Sequence, residues 1–272
     1  MDALARSYLF VPGHRPERFD KAVACGADAV IIDLEDAVAP ADKAAARQHV
    51  LSWLRADRPV FVRMNAFGSA WFGDDMALCA HPGVAGIVLP KAELVADVQA
   101  VADAGARAIL PLVESALGLW NALALARAPQ VQRLVFGSID FCADMGMRES
   151  RDSLLHARSQ LVLASRVAGV QAPVDGVTVA LDDIDAVRAD TLHARALGFG
   201  AKLCIHPKQV AAVHTAFLPT PEELDWAGRV RTAFQASGGA AVAVDGKMID
   251  RPVLLLAERM LVESTSRGGV QT

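Results

Sequence analysis

AILPLVESA at residues 108–116 and RLVFGSIDF at residues 133–141 each contain a short apolar run that ends close to an acidic residue. Apolar runs of this length predict buried β-strands. Residues 116–128, which lie between them, have the composition of a helix. This part of the chain therefore predicts a strand–helix–strand unit in which the two strands run parallel.

Glu114 and Asp140 follow the two predicted strands at the same end. Neighbouring strands lie about 5 Å apart, so two carboxylates at one end can hold one small hard cation between them. Mg²⁺ takes oxygen ligands and commonly keeps several waters that a substrate can displace. The alternative is that both acids only stabilise the N-termini of the helices that follow.

The composition excludes several classes of protein. The chain has 272 residues, a net charge of −4 and a pI near 6.0, which argues against electrostatic binding of nucleic acid. Neither a secretion signal nor an apolar run long enough to span a membrane is found, so we expect a cytoplasmic protein. The four cysteines have no CxxC spacing, so we expect reduced thiols and no zinc site.

Eight strand-plus-helix units follow one another along the chain. The predicted strands are residues 7–11, 29–32, 59–62, 84–89, 108–113, 133–136, 173–176 and 202–205. Alternation of strands and helices over this length predicts an α/β fold, a (β/α)₈ TIM barrel over residues 1–218. A doubly wound open sheet is the alternative, but no glycine-rich dinucleotide loop follows the first strand.

Charged and polar clusters come close after the predicted strands. Their positions are Arg15, Asp33, Glu35, Asp36, Arg63, Lys91, Glu114, Asp140, Asp175 and His206. In a barrel, all of these lie on the one face where such folds place their chemistry. The general polarity of loops explains the pattern less well, because the acids and bases stand so near the apolar strand ends.

Residues 219–272 have a different character and predict a helical extension. A helix over 219–236 is followed by a small-residue hinge at about 236–241 and a last helix over 252–264. We expect a disordered tail from Ser266. A barrel does not need this extension, which we interpret as a lid or as an arm exchanged between subunits.

Eight motifs together resemble the citrate lyase β-subunit-like CoA-ester lyases, within the HpcH/HpaI aldolase group. They are LFVPGHRPER (9–18), DLEDAV (33–38), VRMN (62–65), LPKAE (89–93), VESA (113–116), GSIDF (137–141), GAKLCIHP (200–207) and DGKMID (245–250). Each is weak alone, but their order along the chain is specific. The resemblance implies a TIM barrel, a Mg²⁺ site and chemistry on a carbon–carbon bond next to a CoA thioester.

The resemblance also implies roles for individual residues. Glu114 and Asp140 would bind Mg²⁺ and, through it, substrate, and Arg63 would hold a substrate carboxylate and act in catalysis. The positions implied for contact with the CoA portion or the substrate are Phe10, Arg15, Lys21, Ile139, Ile205 and His206. From their chemistry, we expect Glu35, Asp36 and Lys91 to support the site, with the two acids holding Arg63, Lys91 or metal-bound waters in place; the alternative is that they only form a structural ion-pair cluster. Asp250 resembles an acid that the terminal segment inserts into a neighbouring subunit's site; the alternative is a helix N-cap.

The implied reaction is cleavage of a malyl-, citramalyl- or citryl-CoA type thioester to acyl-CoA and a 2-oxo acid. Two alternatives stay open: a thioester hydrolase using the same site, and a lyase subunit that needs an acyl-carrier protein as partner. We expect a homo-oligomer, a trimer or a hexamer. An aldolase that forms a Schiff base is disfavoured, because Lys91 is the only lysine at a suitable strand end.

Overall fold

A computed structural model of the chain describes residues 4–267. Its residues form two compact units, one of residues 5–214 and the other of residues 215–267 together with Leu4. The assignment of residues 1–218 to the barrel and of 219–272 to a lid or exchanged arm stays a prediction.

The first unit is a closed barrel of eight parallel strands in sequential order, which confirms the predicted (β/α)₈ fold. Each strand begins and ends within two residues of its predicted bounds. The strands are β1 Ser7–Pro12, β2 Ala29–Asp33, β3 Val60–Arg63, β4 Val84–Leu89, β5 Ile109–Val113, β6 Val135–Phe136, β7 Val174–Asp175 and β8 Ala201–Cys204.

Helices follow the strands and cover the outside of the barrel. They are α1 Phe19–Ala24, α2 Lys43–Trp53, α3 Phe72–Asp75, α4 Val95–Asp103, α5 Ala116–Trp120, α6 Ala122–Ala126, α7 Ser138–Asp144, α8 Arg151–Ala168, α9 Ile184–Leu197 and α10 Lys208–Phe217. None of the helices within residues 4–267 has the length and apolar composition that a membrane span requires.

In the barrel interior, the partly buried Phe61 of β3 packs against buried aliphatic side chains and one tyrosine from the other seven strands. They are Tyr8, Ile31, Val88, Leu110, Leu112, Val135, Val174, Ala201 and Leu203. Layers of branched side chains of this kind make the interior a packed core rather than a pore. Chemistry is therefore restricted to the loops and strand ends above the core.

One local prediction is wrong, and one helix has no counterpart in the predictions. The helix expected over 116–128 is two helices, because the chain departs from helical geometry at Asn121, whose side chain donates a hydrogen bond to the Glu93 carbonyl at 2.9 Å. The segment after β6, in which no separate helix is predicted, forms the seven-residue helix α7. Asp140 consequently lies in the first turn of α7 rather than at the end of the strand.

The second unit contains the last residues of α10, then α11 Pro221–Ala236, a hairpin of β9 Val242–Val244 and β10 Lys247–Ile249, and α12 Arg251–Arg267. Thr220 caps α11 and Pro221 stands at its first position, as the sequence predicts. Asp245 and Gly246 form the hairpin turn with positive φ angles, which this residue pair favours. Helix α12 continues through Ser266 to Arg267, and the remainder of the predicted tail, residues 268–272, lies outside the described residues.

Candidate active site

A cavity of about 440 Å³ opens at the carboxyl ends of the strands. Its apolar wall includes Leu112, Phe136, Val177 and Leu203. The predicted site residues that line it are Phe10, Asp36, Arg63, Glu114, Ile139, Asp140 and Ile205. An apolar pocket with a few convergent charged groups is the usual form of a small-molecule site.

Glu114 is placed by the end of β5 and is only 4% exposed. The Lys91 amide donates a hydrogen bond to its Oε1 atom at 2.7 Å. Lys91 has a φ of 48°, a conformation rarely adopted by residues other than glycine, and such conformations concentrate at functional sites. On the other side, a Cβ atom added to Gly137 would lie 2.5 Å from Glu114 Oε2. One main-chain donor therefore holds the Glu114 carboxylate, and the absence of a side chain at position 137 leaves the space that this carboxylate occupies.

The surroundings of Glu114 oppose its ionisation. Burial raises its pKa to about 8, and the negative charges of Glu35 and Asp140 act in the same direction. The Lys91 amide and Arg63 lower the pKa but do not offset the rise. A cation held beside this carboxylate would favour its ionised form, because it would offset the negative charges nearby.

Asp140 lies in the first turn of α7, is exposed, and lines the same cavity as Glu114. The two side chains offer only oxygen atoms, the ligands that Mg²⁺ prefers. Among residues 4–267, no group of three or more His, Cys, Asp or Glu side chains is arranged around a metal position. The donor set therefore fits a hard divalent ion with two protein ligands, whose other positions would be left to water and to substrate oxygens.

Arg63 ends β3, where the strand register places it opposite Asp33 of β2. Its Nε and Nη2 atoms donate hydrogen bonds to Asp33 Oδ1 and Oδ2 at 2.7 and 2.6 Å. Its guanidinium carbon lies 4.8 Å from the centroid of the Phe10 ring. Paired and stacked in this way, Arg63 keeps one orientation at the cavity wall.

Glu35 lies between Arg63 and Lys91 and is in contact with both. Lys91 Nζ donates a hydrogen bond to Glu35 Oε1 at 2.9 Å, and Glu35 Oε2 lies 3.2 Å from Arg63 Nη1. Asp36 Oδ2 lies 3.4 Å from the same Nη1 atom and is half exposed. Chiefly through burial, the pKa of Glu35 is raised above its ordinary value. These three residues are thus in contact with Arg63 or with each other, and their supporting role stays a prediction.

Three residues predicted to contact the CoA portion or the substrate are not among the described residues that line the cavity. Arg15 Nε donates a hydrogen bond to Glu17 at 2.6 Å, and Lys21 is exposed on α1. His206 Nδ1 accepts a hydrogen bond from the Lys208 amide at 3.2 Å. Their roles in binding stay predictions.

Asp250 belongs to the second compact unit, between β10 and α12. Its Oδ1 atom accepts a hydrogen bond from the Val253 amide at 3.3 Å. This contact is the one expected of a helix N-cap, the alternative that the sequence left open. The catalytic role of Asp250 stays a prediction.

Two contributions to the site have no counterpart in the sequence predictions. Gly137 makes room for Glu114, and Asp33 forms the bidentate pair with Arg63. A glycine immediately after a strand is a signal for close approach of another group. Asp33 was among the polar residues at strand ends, but its partner follows only from the β2–β3 register.

Comparison with known proteins gives matches over nearly the whole chain. The HpcH/HpaI aldolase/citrate lyase family model matches residues 6–207. A citrate lyase subunit beta-like protein of Deinococcus radiodurans is 40% identical over 277 residues, covering 95% of this chain and 97% of that protein. A (3S)-malyl-CoA thioesterase of Cereibacter sphaeroides is 35% identical over 274 residues, covering 95% and 94%.

The fold also matches a solved structure. The protein CitE from Mycobacterium tuberculosis, in complex with magnesium, acetoacetate and coenzyme A, gives a TM-score of 0.89 at 37% identity. The match covers 97% of this chain and 100% of that chain.

Proposed function

Because the chain belongs to the HpcH/HpaI aldolase/citrate lyase family, we propose that it is a Mg²⁺-dependent carbon–carbon lyase of a 3-hydroxyacyl-CoA thioester. The substrate is of the malyl-, citramalyl- or citryl-CoA type, and the products are acetyl-CoA or another acyl-CoA and a 2-oxo acid. The observation that carries the proposal is that Glu114 and Asp140 line one cavity together with Arg63.

Glu114 and Asp140 would hold the metal ion. When bound, Mg²⁺ supplies a Lewis acid for the hydroxyl and carboxylate oxygens of the substrate. The magnesium bound to the Mycobacterium tuberculosis relative supports this choice of ion.

In the proposed reaction, Arg63 binds the carboxylate on the hydroxyl-bearing carbon. The hydroxyl loses its proton to water, the bond between this carbon and the α-carbon of the thioester breaks, and the bonding electron pair forms a thioester enolate. Arg63 offsets negative charge in a site of low dielectric. Asp250 delivers a proton to the enolate carbon, which balances the proton that the hydroxyl lost.

The CoA portion and the acyl chain are proposed to contact the residues at the cavity mouth. Phe10, Ile139 and Ile205 offer apolar surface to the acyl chain and the pantetheine arm. Arg15, Lys21 and His206 are proposed to meet the polar part of CoA. Coenzyme A in the Mycobacterium tuberculosis relative supports a CoA thioester as the substrate class.

A thioester hydrolase is the second candidate. The similarity to a (3S)-malyl-CoA thioesterase at 35% identity over 95% of this chain favours it. In that reaction, water attacks the thioester carbonyl, the carbon–sulfur bond breaks, and free CoA and a hydroxy acid are released. The same cavity and the same two carboxylates would serve both reactions.

Incubation of the purified protein with Mg²⁺ and malyl-CoA or citramalyl-CoA tests the proposal, with mass spectrometry of the products. Acetyl-CoA together with a 2-oxo acid is the expected result. Formation of free CoA and the hydroxy acid alone would contradict the lyase and support the hydrolase. Turnover only after addition of an acyl-carrier protein would make this chain a subunit that depends on a partner.

A further inference from the structure

Lys43, the first residue of α2, carries a buried positive charge close to the proposed site. The residue is only 6% exposed. Its Nζ atom donates hydrogen bonds to the main-chain carbonyls of Leu34 and Glu35 at 2.8 and 2.7 Å. The same atom lies 5.2 Å from the centroid of the Trp71 ring.

The charges around Lys43 explain why a cation is tolerated there. Burial lowers the pKa of the Lys43 ammonium group, but nearby carboxylates act in the opposite direction. These carboxylates are Asp33, Glu35, Asp36 and Asp75. An ammonium group with main-chain acceptors, an aromatic face and acidic neighbours satisfies the requirement that buried charges be compensated.

The two carbonyls that Lys43 binds belong to consecutive residues, so one ammonium group fixes the backbone of the turn after β2. This turn carries Glu35, whose carboxylate lies between Lys91 and Arg63. The Asp33 carboxylate completes the turn, because its Oδ1 and Oδ2 atoms accept hydrogen bonds from the Glu35 and Ala37 amides. A change in the turn would therefore move Glu35 and, through it, Arg63.

We propose that Lys43 is a positioning residue, which holds the turn of residues 34–36 so that Glu35 keeps Arg63 and Lys91 aligned at the cavity. This inference rests on the proposed function of Arg63 in binding the substrate carboxylate. Lys43 itself reaches main-chain carbonyls rather than the cavity and acts only through the turn. Residues that support a binding group in this way commonly change activity by about 10–100-fold when they are replaced.

Replacement Lys43→Met tests the proposal, because it keeps an unbranched chain and removes the donors. We expect hydrogen–deuterium exchange of the amides in residues 34–38 to become roughly tenfold faster, as loss of hydrogen bonds loosens the turn. With malyl-CoA or citramalyl-CoA, we expect kcat/KM to fall about 10–100-fold with a clear rise in KM. A merely structural role would lower the fraction of folded enzyme and hence the apparent kcat, with KM unchanged.

Arg55→Met is the matched control. Arg55 lies just beyond α2, is exposed and pairs with the exposed Asp57, so the variant also removes one positive charge and leaves the turn intact. If Lys43→Met does not fold, Lys43→Arg carries the test, because it keeps the charge but not the donor geometry. For Lys43→Arg we expect a smaller increase in the exchange rate of residues 34–38 and a smaller rise in KM than for Lys43→Met.

Unchanged exchange in residues 34–38 of a folded Lys43 variant would overturn the proposal. Faster exchange with an unchanged KM in an active enzyme would also overturn it. A wild-type protein that converts none of the thioesters would contradict the proposed function instead, and the exchange measurement would still decide whether Lys43 orders the turn.

Discussion

The proposed function places two opposing requirements on Glu114, because its carboxylate is buried near other acids and would have to be ionised to bind a cation. We expect Glu114→Gln and Asp140→Asn each to weaken Mg²⁺ binding and to lower turnover by at least about 100-fold, since an amide is a poorer ligand than a carboxylate. Isothermal titration with Mg²⁺ and a turnover assay measure both effects. An unchanged circular dichroism spectrum would show that the fold is intact, and full activity in either variant would remove the metal assignment.

The raised pKa of Glu114 also predicts how stability depends on pH. Burial raises the pKa from an ordinary 4.5 to about 8, so the folded state holds this proton more tightly than the unfolded state between these values. The free energy of unfolding of the metal-free protein should therefore fall as pH rises from about 4.5 to about 8.

Glu114→Gln removes this titration. The stability of the variant relative to the wild type should increase across the same pH window, by on the order of a few kcal/mol. Urea unfolding in the presence of a chelator, at several pH values, measures the difference. A difference that does not change with pH would contradict the assigned direction of the shift.

Gly137 allows Glu114 to stand where it does. In Gly137→Ala, the new Cβ atom would meet Glu114 Oε2 at 2.5 Å and Glu114 Cβ at 2.6 Å, so the carboxylate or the backbone must move. We expect a loss of about 1–3 kcal/mol in stability, as in other overpacked interiors, and weaker Mg²⁺ binding. Chemical denaturation and Mg²⁺ titration measure the two effects.

Gly228→Ala is a suitable control for Gly137→Ala. Gly228 lies inside α11, and an added Cβ atom there meets nothing within 4 Å. Alanine at this helical position should stabilise the protein by about 0.5–1 kcal/mol. If both variants bind Mg²⁺ as the wild type does, the close approach at Gly137 does not position Glu114.

At the scale of elements, Asp250 stands between the β9–β10 hairpin and α12 and caps that helix. A test of its catalytic role must therefore leave the helix cap intact. Asparagine caps helices about as well as aspartate, so Asp250→Asn should keep the stability of the cap. It should also keep Mg²⁺ and substrate binding but lose carbon–carbon cleavage, because the amide cannot transfer the proton. Steady-state kinetics together with thermal unfolding separate the two roles. Cleavage at the wild-type rate would leave Asp250 as a helix cap only.

The barrel strands were predicted from the sequence, whereas helix α7 and the break at Asn121 were not. The barrel strands could be predicted because their apolar runs are long enough to recognise and are followed by polar residues. Helix α7 was missed because it has no side-chain N-cap and follows a strand of two residues. The break at Asn121 was missed because it depends on a contact with Glu93, far away in the sequence, within a segment of strong helix formers.

For the candidate site, the location of the charged residues could be predicted, but most of their partners could not. The acids and bases at strand ends could be placed on one face, because barrel closure brings all strand ends together. Glu35 and Asp36 could also be expected near Arg63 and Lys91, but the remaining partners could not, since they depend on strand register and on side-chain direction. Asp33 opposite Arg63 and Lys43 beneath the turn are the two cases in which the register and the packing supply what the sequence pattern lacks.

At the scale of the whole molecule, the proposed arm exchange predicts complementation between two inactive variants. If the arm of one subunit completes the site of another, mixed oligomers of Asp250→Asn and Glu114→Gln should recover activity. Random mixing would give both intact residues in about a quarter of the sites. Co-expression with different affinity tags, purification of the mixed species and a turnover assay test this expectation.

Either variant alone serves as the background for the complementation experiment. Mixed oligomers with no activity above that background would show that each subunit uses its own arm. In that case Asp250 would act within its own chain, and the roles proposed for the barrel residues would be unaffected.

The division of the chain into two compact units separates the proposed cation ligands from the proposed proton donor. A mutation can therefore alter the proposed proton donor without altering the proposed cation ligands. A change confined to residues 215–267 can exchange one acid for another, or delete it, while the oxygen donors on the barrel persist. Under the proposed function, carbon–carbon cleavage can therefore be lost through a change in the second unit alone while the barrel keeps its capacity to bind Mg²⁺.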